Sequence, residues 1–578
     1  MAHSNRRRWA NRKAEPKKPP AVVVEIVALS PNARFALNPP KDVPAAVRSL
    51  DRFCVKYGGG LKTADGNWSF MVTFMDAIVT ALRKQLADHG VKVHEAPKEI
   101  MRALTKACPA PADVTLRCPP TLRDALHPYQ RKGVQFILEH NGRALLADDM
   151  GLGKTVQTLA CCAHYYADWP MLIIVPSSVA GAWESEIAKW LPMVKEDDVY
   201  VAKSSSDALT KERVAAPPKT SVLIISYALC KNFAQRGDLR PGTFSIVVAD
   251  ESHSLKNPAS KRAKWIAPLL KGATRAICCT GTPALSRPAE LFVQINALYP
   301  KIFPTFKAFG ERYCGAKLNP FSGGKEYKGA TLQSELQLLL RKFVMIRRQK
   351  HETDVGANMV KKTRRVIMLE DTIETASARA CSAPCDAAGL SALPLGVEAR
   401  WMVAEVAPAL ARLRELRGQR AADASAKRRL DSEIQTAQTA AYVATGKAKV
   451  AAATLVLRRL VEVERKHVVV FAHHAFVIEA LARALDSSAI SYIEVHGRTP
   501  TAQRSEKIAS FQAGNAQVAL LGLTCAGVGI TLTRASVAVF AELYWNPAQL
   551  LQAEDRIHRL GAAADVEIVY LVAPKVSS

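Results

Sequence analysis

The run Ala147-Asp148-Asp149-Met150-Gly151-Leu152-Gly153-Lys154-Thr155 sets a tight glycine-bearing turn between a strand-like stretch and a helical start. That arrangement makes a phosphate cradle. Backbone amides at a helix N-terminus face the phosphates, Lys154 reaches the terminal ones, and the Thr155 hydroxyl can bind magnesium. The first position of such a loop is usually glycine, and here it is Asp148. A glycine-lysine-threonine turn also arises by structural coincidence, so a second half of the site is required. It lies downstream in Ile246-Val247-Val248-Ala249-Asp250-Glu251-Ser252-His253, a buried-type strand ending in two adjacent carboxylates. For phosphoryl transfer Asp250 would hold magnesium and Glu251 would orient the attacking water. A strand merely capped by solvated acids is the alternative, and the cradle upstream weighs against it.

These residues need a scaffold that repeats. From Leu126 to about Leu298, short β-branched runs alternate with helical patterns, at Ala144–Ala147, Leu172–Val175, Val222–Ile225, Ile246–Ala249 and Ala276–Cys279. Such alternation predicts a parallel sheet covered by helices on both faces. The rhythm returns in His467–Phe471, Ile490–His496, Val518–Leu521, Val537–Phe540 and Glu567–Val572, which predicts a second α/β lobe. Arg400 to Leu460 is rich in Ala, Leu, Arg and Lys and almost free of glycine and proline, as long helices require. Its arginines, Arg412, Arg414, Arg417, Arg420, Arg428 and Arg429 among them, form either a solvated face or one that meets DNA. Ahead of the first lobe, a strand from Val22 to Ala28 and helix-period residues from Ser69 to Ala87 suggest a small α+β module.

At 578 residues the chain is too long for one core. Its formal charge of +27 attracts polyanions, most plausibly nucleic acid, although a solvated basic surface would carry the same charge. No stretch approaches the ~20 uninterrupted apolar residues of a membrane span, so no membrane partner is expected. The N-terminus, with Arg6-Arg7-Arg8 and Lys17-Lys18, reads as a disordered basic arm rather than a secretion signal. The 12 cysteines show no zinc spacing, and the doublets Cys161-Cys162 and Cys278-Cys279 sit in apolar runs, which fits a reducing compartment. No zinc is expected.

Further motifs fall in the order expected of a helicase-like motor, and together they resemble the Swi/Snf family of helicase-like ATPases. Leu126-His127-Pro128-Tyr129-Gln130 resembles its adenine-reading segment, with Gln130 as the base contact. Val175-Pro176-Ser177-Ser178 and Ile225-Ser226-Tyr227 look like first-lobe segments that grip one DNA strand. Thr280-Gly281-Thr282-Pro283 looks like the segment that couples hydrolysis to lobe movement, and Thr524-Cys525-Ala526-Gly527-Val528-Gly529 like the second-lobe coupling loop. Gln552-Ala553-Glu554-Asp555-Arg556-Ile557-His558-Arg559 resembles the closing arginine motif, whose Arg556 and Arg559 lie three apart on one helical face. Trp190-Leu191-Pro192, Phe471-Ala472-His473-His474 and Phe540-Ala541-Glu542-Leu543-Tyr544-Trp545 are most similar to the HepA-related annealing helicases, and Lys62 to Phe70, with Trp68, resembles part of their HARP DNA-binding module.

The resemblance implies two RecA-like parallel-sheet lobes joined by a helical connector, with the small α+β module in front. The expected plan is a basic arm at 1–20, a HARP-like module at 21–90, a linker at 91–120, an ATP-binding lobe at 121–300, a helical connector or insertion at 301–445 and a C-terminal lobe at 446–578. It implies ATP and Mg2+ as cofactors. Asp149, Met150, Gly151, Leu152, Gly153, Lys154, Thr155, Gln130 and Gly529 would hold the nucleotide, Thr155 and Asp250 the metal, and Lys154, Asp250, Glu251, Arg556 and Arg559 would act in hydrolysis. Ser177, Ser178, Ser226, Thr524 and Trp68 would contact DNA. The implied function is a nuclear, ATP-dependent translocase on duplex DNA that re-anneals strands and remodels branched DNA or stalled forks in repair. A single-stranded-DNA-binding protein is a candidate partner. A nucleosome-remodelling ATPase and a DNA-binding scaffold with a decayed ATPase are the alternatives. Two departures bear on the latter: Gly561-Ala562 stands where the family has Gly-Gln, and a bracing helix is expected to be missing after Ser578.

Overall fold

The computed structural model describes residues 23–30, 34–38, 61–62, 68–71, 80, 92–94, 100, 115–205, 221–284, 287–318, 324–357, 359–370, 392–394, 399–419, 424–523, 530–545, 547–559 and 561–572. Three sheets with more than two strands organise them. The N-terminal sheet has the strands β1 (Val23–Ser30), β2 (Arg34–Asn38), β3 (Leu61–Lys62), β4 (Trp68–Met71) and β5 (Lys92–His94) in the order β3-β4-β2-β1-β5. It is antiparallel except where β1 pairs with β5.

The first large sheet contains β6 (Arg143–Leu146), β7 (Met171–Val175), β8 (Val199–Val201), β9 (Val222–Ser226), β10 (Ile246–Asp250) and β11 (Arg275–Cys279). After the two-residue hairpin strands β12 (Lys317–Leu318) and β13 (Lys325–Glu326), the chain adds β14 (Met345–Ile346) to the sheet edge. The order is β14-β6-β11-β10-β7-β9-β8, all parallel. Strands of this kind are covered on both faces, which is why Met171–Val175 is apolar at every position and fully buried. Leu172 and Ile174 enter one core and Met171, Ile173 and Val175 the other.

The second lobe repeats the design. Strands β15 (Lys362–Glu370), β16 (Ala392–Pro394), β17 (Val468–Ala472), β18 (Tyr492–Val495), β19 (Val518–Gly522), β20 (Val537–Phe540) and β21 (Val566–Val572) form a parallel sheet ordered β16-β15-β21-β20-β17-β19-β18. The strand positions expected from the sequence agree with those observed to within a few residues.

Segment 301–445, expected as a helical connector or insertion, contributes strands to the sheets of both lobes. Met345 and Ile346 pair with Leu145 and Leu146, so the chain is still in the first sheet there, and Lys362 onward already pairs with β21. The passage between the lobes is therefore Arg347 to Lys361. The helices Ala399–Gly418 and Ala424–Arg458 pack on each other. Val406, Ala452, Ala453, Val456 and Leu457 join the second-lobe core. The stretch Arg429–Val463 is long and apolar enough to cross a membrane by length and composition, and it contributes Ala444, Ala452, Ala453, Val456, Leu457, Leu460 and Val461 to that core.

Four helices position the site. They are α1 (Pro128–Glu139), α2 (Lys154–His164), α3 (Ala180–Trp190) and α4 (Tyr227–Arg236), and a fifth, α5 (Pro547–Ile557), approaches from the second lobe. In an open parallel sheet, ligands gather beyond the carboxyl ends of the strands.

Candidate active site

At the carboxyl end of β6 the chain turns through Gly151 (φ +87°) and Gly153 (φ +68°), left-handed conformations that favour glycine, and then enters α2. A Cβ at Gly153 would displace the Gln130 side-chain amide from the back of the turn. Gln130, in the first turn of α1, accepts the His127 N–H at 2.9 Å and donates to Leu152 O at 3.2 Å. Its amide is thus wired to the back of the cradle. Lys154 Nζ donates to the carbonyls of Asp148 (2.9 Å) and Asp149 (3.2 Å), which folds the ammonium over the turn.

Asp148 explains its own departure from glycine. The carboxylate is fully buried, and Oδ1 accepts both the backbone N–H (3.0 Å) and Nε (2.9 Å) of Arg348, while Oδ2 accepts Gln157 Nε2 at 3.1 Å. Arg348 also donates to Tyr129 O and to Gln157 Oε1. The pair staples the cradle to the passage between the lobes. Asp149 accepts the Lys350 N–H at 3.1 Å, and Leu152 is buried. Of the cradle residues expected to hold nucleotide, these two support the turn, whereas Met150, Gly151, Gly153, Lys154 and Thr155 line the cavity beside it.

Asp250 and Glu251 close β10. Asp250 Oδ1 accepts the Glu251 N–H at 2.9 Å and Oδ2 accepts Trp183 Nε1 at 2.9 Å. Burial, then the neighbouring Glu251 charge, pushes its pKa up to about 6. Glu251 adopts φ +49°, a strained conformation for a side chain of this size and one that tends to occur at functional sites. Burial works to raise its pKa as well, but His253, with Nδ1 3.2 Å from Oε2, and the charges of Lys154 and Arg556 hold it below the ordinary value. The same His253 Nδ1 lies 3.0 Å from Thr280 Oγ1, so one ring nitrogen faces both the Glu251 carboxylate and the Thr280 hydroxyl.

From the opposite lobe, α5 presents Arg556, which is 5% exposed and has its pKa drawn down by burial to about 10 against the attraction of Glu251. Arg559 extends over the cradle; a Cβ on Gly151 would meet its Cγ at 3.5 Å. Its Nη1 donates to Thr531 Oγ1 at 3.0 Å. Gln552 Nε2 joins the lobes by donating to Thr282 Oγ1 at 3.3 Å, and Lys350 Nζ ties the passage between them to the second lobe by donating to Asp555 Oδ1 at 2.7 Å and His558 O at 3.0 Å. A cavity of about 590 Å³ results, shared by Gln130, Lys154, Thr155, Asp250, Glu251, Arg556 and Arg559. Lys154, Lys189, Arg556 and Arg559 line it together with the carboxylates of Glu186, Asp250, Glu251 and Asp555, and this mixture of charges suits a polyphosphate with a divalent cation.

Residues 129–375 match the SNF2-related domain family and residues 452–561 the helicase conserved C-terminal domain family. Over 519 residues the chain is 35% identical to the SWI/SNF-related matrix-associated actin-dependent regulator of chromatin subfamily A-like protein 1 homolog of Caenorhabditis elegans, an alignment covering 88% of this chain and 68% of that protein. The chain belongs to the SNF2-related family. It is 38% identical over 452 residues to the Bos taurus subfamily A-like protein 1, covering 78% of this chain and 43% of that protein. It is 34% identical over 460 residues to the Mus musculus DNA annealing helicase and endonuclease ZRANB3, covering 79% of this chain and 39% of that protein. The chain spans about half the length of the first curated relatives it matches.

Of the residues expected to contact DNA, Ser177, Ser178 and Ser226 fall at the carboxyl ends of neighbouring strands in the first sheet. Ser177 is exposed and Ser178 half-buried in the 3-10 turn Ser177–Val179 that follows β7. Ser226, at the end of neighbouring β9, caps α4 by accepting the Leu229 N–H at 3.3 Å. Trp68 lies on β4, its backbone paired with Leu37 and Lys62. Thr524 and Gly529 lie outside the described residues. Sequence reasoning did not single out Trp183, Arg348 or Lys350. Trp183 sits in a helix where an aromatic reads as core, and Arg348 and Lys350 reveal their roles only through contacts about 200 positions away.

Proposed function

We propose that this SNF2-related chain is an ATP-dependent translocase on duplex DNA that re-anneals strands and remodels branched DNA or stalled replication forks. The observation that carries the ATPase half is the single cavity in which the cradle and carboxylate pair of one lobe face Arg556 and Arg559 of the other. Support for the DNA half comes from the similarity to proteins named annealing helicases and from the +27 charge.

Thr155 and Asp250 offer the hard oxygen donors that Mg2+ takes when it is held by one or two protein groups and the substrate phosphates. Bound there, Mg2+ would offset charge on the terminal phosphates of ATP. Lys154 exchanges its carbonyl partners for phosphate oxygens, and Gln130 would read the base. Glu251, kept ionised, orients the attacking water. Arg556 and Arg559 stabilise charge that develops on the transferred phosphoryl group from the far side of the cleft. Ser177, Ser178, Ser226, Thr524 and Trp68 are proposed DNA contacts, with DNA crossing the outer face of both lobes and hydrolysis ratcheting one against the other. A nuclear setting and a single-stranded-DNA-binding protein as partner belong to the same proposal, resting on the basic arm and the relatives' names.

The test uses a plasmid bubble held open by a single-stranded-DNA-binding protein. The chain should rewind it with ATP, and neither a non-hydrolysable analogue nor Lys154→Ala should support rewinding. Nucleosome sliding without rewinding would favour a remodeller, and DNA binding without turnover would favour a scaffold.

A further inference from the structure

Two hydrogen bonds that the hydrolytic steps leave unused end on Asp250. The Trp183 indole N–H donates to its carboxylate Oδ2 at 2.9 Å, and the Tyr227 hydroxyl donates to its backbone carbonyl at 2.7 Å. Both side chains are buried, at 2% and 4% exposure, and they arrive from opposite faces of the first sheet: Trp183 belongs to the core beneath α3, Tyr227 to the core on the other side.

Their places in the chain give these contacts a direction. Trp183 lies in the first turn of α3, which begins directly after the turn Ser177–Val179. Tyr227 is the first residue of α4, directly after its cap Ser226. Strand β7 has β9 on one side and β10 on the other, so both turns leave the same sheet edge beside Asp250. Each turn proposed to hold a DNA strand is thus followed within six residues by an aromatic side chain that touches Asp250.

We infer that Trp183 and Tyr227 are positioning residues that carry the docking of DNA on the 177–178 and 225–226 turns to the carboxylate of Asp250, fixing its geometry toward the magnesium-bound nucleotide. The inference deepens the motor reading and rests on it. An indole N–H is only a donor, so Trp183 holds the ionised carboxylate in one orientation and leaves its remaining lone pairs for the metal. With Trp183 removed, the carboxylate keeps the Glu251 N–H as its fixed donor at Oδ1. A close-packed interior transmits a small displacement of a helix start rather than absorbing it. Trp183 is packed with Val179, Ile187 and Leu191, and so moves with α3.

The experiment uses the full chain with Trp183→Phe and, separately, Tyr227→Phe, at one fixed salt concentration. Three quantities are read: affinity for a labelled forked DNA, affinity for a fluorescent ATP analogue as a function of Mg2+ concentration, and ATP hydrolysis with and without the fork. A hydrogen bond to a charged group at a buried site is worth about tenfold in an equilibrium. Trp183→Phe should therefore need about tenfold more Mg2+ to tighten nucleotide binding, and its stimulation by DNA should fall by about the same factor. Tyr227→Phe should lose roughly threefold in stimulation, as expected for a neutral hydrogen bond. Fork affinity should stay within about twofold of the parent for both, since neither side chain is exposed to DNA. A purely structural role would lower the melting temperature and leave the Mg2+ midpoint unmoved. Parental Mg2+ midpoint and parental stimulation in both variants would overturn the inference. Should Trp183→Phe fail to fold, Tyr227→Phe decides alone by its stimulation ratio. A parent chain that no DNA stimulates would overturn the motor reading instead, and the Mg2+ titration would then still judge the Trp183 contact.

Discussion

Asp250 and Glu251 are adjacent and both half-buried, yet their carboxyl groups are pushed in opposite directions, Asp250 up to about 6 and Glu251 below its ordinary value. Separated pKa values in neighbouring acids mark a division of roles. For Asp250 the separation has a consequence for stability. Its folded pKa lies above the ordinary 3.8, so its protonated form favours folding: that contribution is complete below about pH 4 and is lost as pH rises through about 6. In the nucleotide-free chain at pH 7.5, Asp250→Asn should therefore stabilise the first lobe, on the order of 1–3 kcal/mol, while abolishing turnover. Melting curves at pH 7.5 and pH 4 check this; a gain that persists undiminished at pH 4, or a loss at pH 7.5, contradicts it. At this scale the sequence was legible wherever backbone spacing dictates the chemistry, as at Gly151, Gly153, Lys154 and the acidic pair. It was silent on Trp183, whose donor is used across 67 positions, and on the staple made by Asp148, which read as an anomaly until Arg348 was seen against it.

The elements owe their alignment to that staple. Asp148 sits at the start of the cradle and Arg348 just beyond β14, so their ion pair holds the edge strand, the phosphate turn and α1 in one arrangement. Breaking a buried pair leaves an uncompensated charge, whereas replacing both partners need not. Asp148→Ala should cost the first lobe about 3–5 kcal/mol in urea unfolding, and Asp148→Ala with Arg348→Met should recover most of it. Equal losses in the single and double variants would show that the pair does not act as a unit. The strands themselves were readable because both sheets are buried on both faces, which forces runs such as Val468–Ala472 and Val518–Gly522 to be apolar throughout. The passage between lobes was not. Met345–Ile346 is too short to show a period, and Lys362–Glu370 carries charges that pair with Glu554 and Glu567, so neither reads as sheet.

Across the whole molecule, polar contacts reach from the second lobe to the first and to the passage between them: Gln552 with Thr282, and Lys350 of the passage with Asp555 and His558. Contacts of that kind can be made and broken as nucleotide comes and goes, which suits relative domain motion. The account therefore stands on one claim, that the nucleotide site is completed by the second lobe. The direct measurement is ATP hydrolysis by the parent chain and by Arg556→Ala, at saturating forked DNA and fixed salt, with nucleotide binding followed in parallel. Loss of an arginine that stabilises the transferred phosphoryl group should slow turnover by about 10³–10⁵ while nucleotide still binds. Parental turnover in Arg556→Ala would contradict the account.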